Sequence, residues 1–295
     1  MARFELTEIT TRDHLIHQGI VSVPEKPGKM AVLWVHGLTG KFYGNTELIN
    51  TLADTFTKNG IAFASFNNRG HDIMTGLSIE DPNEPGGKGH ATGGASFERF
   101  EDSVHDIDAG IRLLRERGFD DIILAGHSSG ANKVCYYAGT VPDADLAGII
   151  LAGPLSDRYS PNVDASEYEK NITMLKMLRD DGKGDSLLTK VSWFPMTADR
   201  AWSLIAPNTP EDVFNYGDSE RILTTFSKIT TSVLVIFSGN DEYTDRPVSD
   251  IKTVFDQKAG SPRYQSVIIP DTTHGMEGKE REFAGTVLTW ISTLS

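Results

Sequence analysis

Ser128 stands at the centre of the pentapeptide Gly126-His127-Ser128-Ser129-Gly130. An apolar run precedes this pentapeptide and a helix-forming run follows it, which predicts a strand, a sharp turn and a helix. In such a turn the two glycines let the chain segments pass closely, and the central residue takes strained backbone angles that expose its side chain. The start of the following helix favours a developing negative charge. A chance Gly/Ser-rich loop is the alternative, but the context favours Ser128 as a nucleophile for acyl transfer.

A serine nucleophile needs a base and an acid that orients the base. Asp241 follows a run of strand-forming residues at 232–237, and His274 follows another at 264–269. Loops after parallel strands converge at one edge of an open α/β sheet, so these side chains are expected to meet Ser128 there. The chain order serine, aspartate, histidine is the one expected for a hydrolase with this type of turn.

Each member of the predicted triad has a defined role. His274 accepts the hydroxyl proton and later returns it to the leaving group, while Asp241 holds the tautomer of His274 and stabilises the imidazolium. Glu242 and Asp245 are close enough in sequence to serve as the acid instead. Asp241 is favoured because it is the first carboxylate after the strand.

The oxyanion of an acyl-transfer intermediate needs two backbone N–H donors. One is expected from Ser129, directly after the nucleophile, and the other from Leu38, which follows a buried strand at 30–35. Gly37 would let the backbone turn toward the site. His36 is expected to be hydrogen-bonded within this turn rather than to act in catalysis.

The hydrophobic pattern alternates between strands and helices, which predicts one α/β domain with a parallel sheet. The predicted strands are 3–10 and 14–23 as an antiparallel pair, 30–35, 61–66, the run ending at 125, 147–152, 232–237 and 264–269. The predicted helices are 45–58, 97–118, the segment after Ser128, 248–257 and 277–294. Residues 67–94 are rich in Gly, Pro and Asn and are expected to form an irregular loop, with 86–94 as a mobile rim.

The alternation is lost between residues 155 and 228. We therefore expect a core formed by residues 1–154 and 229–295, with 155–228 inserted as a cap. Aromatic side chains in this cap suggest a partly apolar pocket, and Trp193, Phe194 and Trp202 are candidate substrate contacts. Packing of these three residues inside the cap is the alternative interpretation.

Composition excludes several classes of protein. The 295 residues carry a formal net charge of −13, which disfavours nucleic acid and anionic membrane surfaces as partners. Cys135, the single cysteine, excludes an intramolecular disulfide and is expected to be a small core residue. The first residues lack the apolar segment of a signal peptide, so a cytoplasmic protein is expected. The eight histidines are scattered, and no metal or other cofactor is expected.

Five short segments together resemble the α/β-hydrolase family. They are His36-Gly37, Arg69-Gly70-His71, Gly126-His127-Ser128-Ser129-Gly130, Gly239-Asn240-Asp241 and Thr273-His274-Gly275. The resemblance implies a mostly parallel eight-stranded sheet flanked by helices, with a cap inserted after the sixth strand. Within the family, the loops resemble small cinnamoyl/feruloyl esterases, serine-aminopeptidase-like lipases and siderophore esterases.

The expected activity is that of a serine hydrolase acting on a small-molecule carboxylic ester through an acyl-enzyme intermediate. A cinnamoyl/feruloyl ester is one candidate substrate. Hydrolysis of a siderophore ester or a lactone, thioesterase activity and acyl transfer use the same triad and stay open as alternatives. A noncatalytic ligand receptor on a hydrolase scaffold is an alternative of another class, because a fold does not determine a function.

Overall fold

The computed structural model describes residues 2–141, 144–159 and 164–294. In these ranges the strands are β1 (Glu5–Thr10), β2 (Leu15–Ser22), β3 (Met30–Val35), β4 (Ala62–Phe66), β5 (Thr75–Glu80), β6 (Lys88–Gly93), β7 (Asp121–His127), β8 (Gly148–Ala152), β9 (Leu187–Leu188), β10 (Met196–Thr197), β11 (Val233–Ser238) and β12 (Tyr264–Ile269). The α-helices are α1 (Thr46–Lys58), α2 (Ser103–Glu116), α3 (Ser129–Thr140), α4 (Ala165–Asp180), α5 (Ala198–Ile205), α6 (Val248–Lys258) and α7 (Glu280–Ile291).

Within the described residues, ten strands form the main sheet, in the order β12-β11-β8-β7-β3-β4-β2-β5-β6, with β1 paired to residues 16–21 of β2. The six strands from β12 to β4 are parallel to one another. Strands β1, β2, β5 and β6 pair in the antiparallel sense. The opening antiparallel pair and the parallel strands predicted from the sequence are confirmed.

The five parallel strands β3, β4, β7, β8 and β11 are buried on both faces, which explains their continuous apolar sequences, whereas β12 at the sheet edge is only partly buried. In β3, Leu33 belongs to one hydrophobic cluster and Trp34 to the other, because successive side chains point to opposite faces. Helices α2, α3 and α6 supply the first cluster, and α1 and α7 supply the second. Cys135 is fully buried in the first cluster, as expected.

Residues 67–94 contain a β-hairpin, so the prediction of an irregular loop was wrong. Strands β5 and β6 pair along their full length, and β5 joins the sheet through Leu15 and Ile16 of β2. This hairpin lies at the sheet edge, and Leu77 is its buried large apolar residue, so its sequence lacks the pattern of a core strand. The sheet therefore has ten strands rather than eight, and the predicted cap follows the eighth strand instead of the sixth.

Helix boundaries differ modestly from the predictions. Asn45 caps α1 by accepting a hydrogen bond from the Leu48 N–H, so this helix begins where expected. Helix α2 begins at Ser103 rather than near 97, after a short 3₁₀ turn at Phe100–Asp102. Helix α7 spans Glu280–Ile291 instead of 277–294.

Between β8 and β11, the described residues contribute no strand to the main sheet. Helices α4 and α5 pack around a separate apolar cluster that includes Leu175, Phe194 and Met196. Phe214 and Phe226, from the later part of 155–228, pack instead against Phe255 of α6 in the core. Residues 155–228 therefore stay a proposed cap, and the segment that carries Phe214 and Phe226 packs on the core.

None of the helices in the described ranges combines the length and the apolar character that crossing a membrane requires.

Candidate active site

Ser128 occupies the sharp turn between β7 and α3. Its backbone angles are φ 57° and ψ −130°, a sparsely populated conformation for a residue with a side chain. The Ser128 N–H donates to the Ala152 carbonyl at 2.9 Å, which anchors the turn to β8. A Cβ atom on Gly126 would collide with the backbone of Gly130, and one on Gly130 would collide with that of Val35. Both glycines are therefore required for the turn that presents Ser128.

Asp241 and His274 form a hydrogen-bonded pair. They follow the adjacent parallel strands β11 and β12, and His274 Nδ1 lies 2.7 Å from Asp241 Oδ2. Of the other two acid candidates, Glu242 accepts the His274 backbone N–H at 2.9 Å, and Asp245 pairs with Arg246. Asp241 is thus the carboxylate that contacts the imidazole, as predicted.

Ser128 and His274 line one cavity of about 720 Å³. Within the described residues, the Ser128 hydroxyl forms no hydrogen bond, whereas the imidazole is already oriented by Asp241. The fold thus brings all three predicted residues to one region and joins two of them directly. The catalytic roles of the three residues stay predictions.

The turn after β3 passes directly beside Ser128. A Cβ atom on Gly37 would lie 2.9 Å from Ser128 Cβ, so this close approach depends on a glycine. Leu38 and Ser129 both line the cavity. Neither N–H donates a hydrogen bond within the part of the chain that is described, and Ser129 is the first residue of α3, where helical acceptors are missing. Both donors are available for an oxyanion, and this role stays a prediction.

His36 is buried and bonded within its turn, as expected. Its Nδ1 lies 2.9 Å from the Gly37 carbonyl, to which it donates, and its Nε2 accepts the Asn68 N–H at 3.2 Å. Burial, together with the charge of Lys133, lowers the pKa of His36 to about 3. This histidine is therefore neutral and holds the loop that carries Leu38.

His127 supports the predicted base, a role that the sequence left open. Its Nε2–H donates to the His274 carbonyl at 2.7 Å, and its ring stacks on Trp34 at 6.4 Å. Desolvation, together with the charge of His274, lowers the pKa of His127 to about 4. Its place beside Ser128 in the pentapeptide was the available sequence signal for this role.

The three aromatic residues proposed to contact substrate occupy different places. Trp193 lines the cavity and is 73% exposed. Phe194 is buried in the apolar cluster of the cap, and Trp202 packs against that cluster beneath Arg179. Neither of these two is among the described residues that line the cavity, so this structure supports cap packing for them and substrate contact only for Trp193.

A buried ionic cluster lies behind the cavity and was missed at the sequence level. Lys133 Nζ lies 2.5 Å from Glu98 Oε1, and the Arg200 guanidinium pairs with Glu211 at 2.5 and 3.0 Å. Arg200 also lies 3.5 Å from Glu98, which joins the two pairs. The cluster connects α3, which begins at the serine turn, with α5 of the proposed cap. A lysine within an otherwise uncharged helix was its only sequence signal.

Among the described residues, no group of three or more His, Cys, Asp or Glu side chains is arranged to hold a metal ion.

Solved structures with the α/β-hydrolase fold resemble the whole chain. Siderophore hydrolase EstB from Aspergillus fumigatus is 18% identical, with a TM-score of 0.69 over 100% of this chain and 99% of that one. Est1E from Butyrivibrio proteoclasticus with bound ferulic acid is 15% identical, with a TM-score of 0.65 over 98% of both chains. The α/β hydrolase GrgF from Penicillium sp. sh18 is 14% identical, with a TM-score of 0.68 over 99% and 98%. These similarities confirm the predicted α/β-hydrolase fold.

The sequence comparisons are more limited. No curated protein matches the sequence. A family model described as "Protein of unknown function (DUF1749)" matches residues 90–292, a range that includes Ser128, Asp241 and His274. Because this match spans more than half of the chain, the protein belongs to the DUF1749 family.

Proposed function

We propose that the protein is a serine hydrolase that cleaves carboxylic esters through an acyl-enzyme intermediate. One observation carries the proposal: His274, hydrogen-bonded to Asp241 at 2.7 Å, lines the same cavity as Ser128 in its strained turn. A serine, an imidazole and a carboxylate in this arrangement are suited to nucleophilic acyl transfer.

In the proposed reaction, Ser128 Oγ attacks the ester carbonyl while His274 Nε2 accepts the hydroxyl proton. The bond between carbonyl carbon and alkoxy oxygen then breaks, and His274 returns the proton to the departing alcohol. Water, activated by the same imidazole, releases the acid and restores Ser128. The hydroxyl has to turn toward Nε2 when substrate binds, which is common because catalytic hydrogen bonds tighten in the substrate complex.

The Leu38 and Ser129 N–H groups are the proposed oxyanion donors. Both line the cavity, and the negative charge that develops on a substrate carbonyl oxygen bound between them would be stabilised by two prearranged N–H dipoles. The N-terminal end of α3 adds a favourable potential at the same place.

Cinnamoyl/feruloyl esters and siderophore esters are the narrower substrate candidates. Est1E binds ferulic acid and EstB is a siderophore hydrolase, and both share the fold of this chain. A cavity of about 720 Å³ is within the usual range for ligands of such size. A cytoplasmic location, expected from the sequence, stays a prediction.

Labelling with a fluorophosphonate followed by peptide mapping tests the proposal directly. Modification is expected at Ser128 and is expected to disappear in Ser128→Ala. Turnover of p-nitrophenyl esters of graded chain length, with a burst of p-nitrophenol equal to one enzyme equivalent, would demonstrate the acyl-enzyme. A different labelled residue would overturn the site assignment. Ligand binding without labelling or turnover would instead favour the receptor alternative.

A further inference from the structure

Asp157 lies in the same cavity as the proposed triad. It follows β8, begins a short 3₁₀ turn at Asp157–Tyr159, and lines the cavity together with Ser128 and His274. It is an exposed residue. Among the described residues, its carboxyl group accepts its own backbone N–H but forms no hydrogen bond or ion pair with another residue. The carboxyl is therefore available to a molecule bound in the cavity.

The charges behind Asp157 are already balanced without it. The buried cluster contains two carboxylates, Glu98 and Glu211, and two cations, Lys133 and Arg200. An ionised Asp157 adds a third carboxylate to this region, since both Arg200 and Glu211 act on it electrostatically. With Asp157 ionised, these five side chains carry three negative and two positive charges, so one more positive charge would make the group neutral.

Arg200, whose charge acts on Asp157, is committed elsewhere. Arg200 donates through Nε to the Ala95 carbonyl and through both terminal nitrogens to Glu211. Lys41, the lysine or arginine side chain of the described cavity lining, pairs with Asp72 at 2.6 Å. Neither of these two cations forms an ion pair with Asp157.

The surroundings of Asp157 change the pKa of its carboxyl group. Desolvation, together with the negative charge of Glu211, raises the pKa of Asp157 to about 7, against the opposing charges of Arg200 and His274. A cation that enters the cavity would favour the ionised form. The described lining of the same cavity also includes the apolar residues Leu155, Leu204 and Ile205.

We propose that Asp157 binds a protonated amine of the substrate, so that the preferred ester carries an ammonium group. The inference rests on the proposed ester hydrolysis at Ser128 and specifies its substrate class. Asp157 is the sole carboxylate among the described residues of the cavity lining, and an ammonium placed there completes the charge balance of the cluster behind it. Anionic esters are disfavoured for the same reason.

Pairs of esters that differ only in the terminal group test the proposal. p-Nitrophenyl 7-aminoheptanoate and octanoate are nearly isosteric, as are 6-aminohexanoate and heptanoate. The wild-type protein is expected to favour the amino ester of a pair by about tenfold in kcat/KM, the size of a moderately desolvated ion pair. In Asp157→Asn this ratio is expected to fall to near one. Asp181→Asn, which removes an exposed carboxylate paired with Lys183 on the cap surface, should keep the wild-type ratio.

Equal ratios in the wild type and Asp157→Asn would overturn the proposal, and so would an amino preference that survives in Asp157→Asn. Preference for 7-hydroxyheptanoate over the amino ester would also overturn it and indicate a neutral hydrogen-bond donor. The wild-type ratio alone remains informative if Asp157→Asn does not fold.

A binding measurement separates this proposal from the proposed function. Calorimetry of Ser128→Ala with 7-aminoheptanamide and octanamide requires no turnover. Tighter binding of the amino amide, by about tenfold and lost in Ser128→Ala/Asp157→Asn, would support the amine site even if no ester is hydrolysed. Equal binding of the two amides would count against the amine site even if esters are hydrolysed.

Discussion

His127 donates its Nε2–H to the backbone carbonyl of His274 at 2.7 Å. The residue directly before the proposed nucleophile therefore holds the backbone of the proposed base. Stacking on Trp34 at 6.4 Å orients the His127 ring, and Asp241 orients the His274 ring from the other side. The turn that carries Ser128 is thus hydrogen-bonded, through His127, to the backbone of the proposed base His274.

Replacement of His127 tests this connection. His127→Phe keeps an aromatic ring against Trp34 but removes the donor, so His274 loses one of its anchors. We expect kcat to fall by about tenfold and the free energy of unfolding to fall by about 1 kcal/mol. His127→Gln, which retains an N–H donor, should recover part of the activity. Identical kinetics for the Phe and Gln variants would contradict a role for the hydrogen bond.

The acid assignment predicts a large difference between neighbouring carboxylates. Asp241→Asn would present an amide to His274 Nδ1 and favour the wrong tautomer, with an expected loss of about 10³- to 10⁴-fold in kcat for p-nitrophenyl acetate. Asp245→Asn, which changes a carboxylate paired with Arg246, should lower kcat by less than about fivefold. Full activity in Asp241→Asn combined with inactive Asp245→Asn would reverse the assignment.

The buried cluster predicts strong energetic coupling between Lys133 and Glu98. Both side chains are at most 1% exposed, so Lys133→Met leaves a buried carboxylate with its nearest cation removed. Such a loss costs about 3–5 kcal/mol in the free energy of unfolding. The double variant Lys133→Met/Glu98→Gln should recover a substantial part of that loss in urea denaturation, since the uncompensated charge is gone.

An exposed ion pair provides the control for this measurement. Lys176→Met interrupts the pair with Asp180 on the surface of α4 and should cost less than about 1 kcal/mol. Additive effects of the Lys133 and Glu98 substitutions would contradict the proposed coupling.

Two neutral histidines predict acid sensitivity. The pKa values of His36 and His127 are about 3 and about 4 in the folded protein, against 6.5 as the ordinary value. Below pH 6.5 the unfolded chain binds protons that the folded chain does not, so the free energy of unfolding falls as pH falls. Each histidine contributes up to about 1.4 kcal/mol per pH unit between pH 6.5 and its folded pKa.

Asp157 acts in the opposite direction. Its folded pKa of about 7 exceeds its ordinary value of 3.8, so the folded chain binds the extra proton between these values and gains stability as pH falls. Asp157→Asn removes this stabilising contribution, so the free energy of unfolding should fall more steeply as the pH is lowered from 6.5 to 4. Urea denaturation across this range measures the slope. A slope near zero in both proteins would be inconsistent with the neutral histidines.

The sequence alone was sufficient for the features that have a local pattern. Continuous apolar runs predicted the central parallel strands, because those strands are buried on both faces. The Gly-x-Ser-x-Gly spacing predicted the turn at Ser128, because a Cβ atom at Gly126 or Gly130 would collide with backbone. Chain order and position after strands predicted Asp241 and His274 as the acid and the base, since the loops that follow parallel strands lie at one edge of the sheet.

Only the tertiary structure decided the features that depend on contacts between distant segments. The hairpin at Thr75–Gly93 is stabilised by pairing with β2, and its own sequence buries too little apolar surface to reveal it. Lys133 and Glu98 are ordinary charged residues until the fold buries them together. Asp157 likewise becomes distinctive only when α5 commits Arg200 to Glu211 and leaves this carboxylate open to the cavity. Burial and pairing of charges are properties of the assembled fold, and no short segment encodes them.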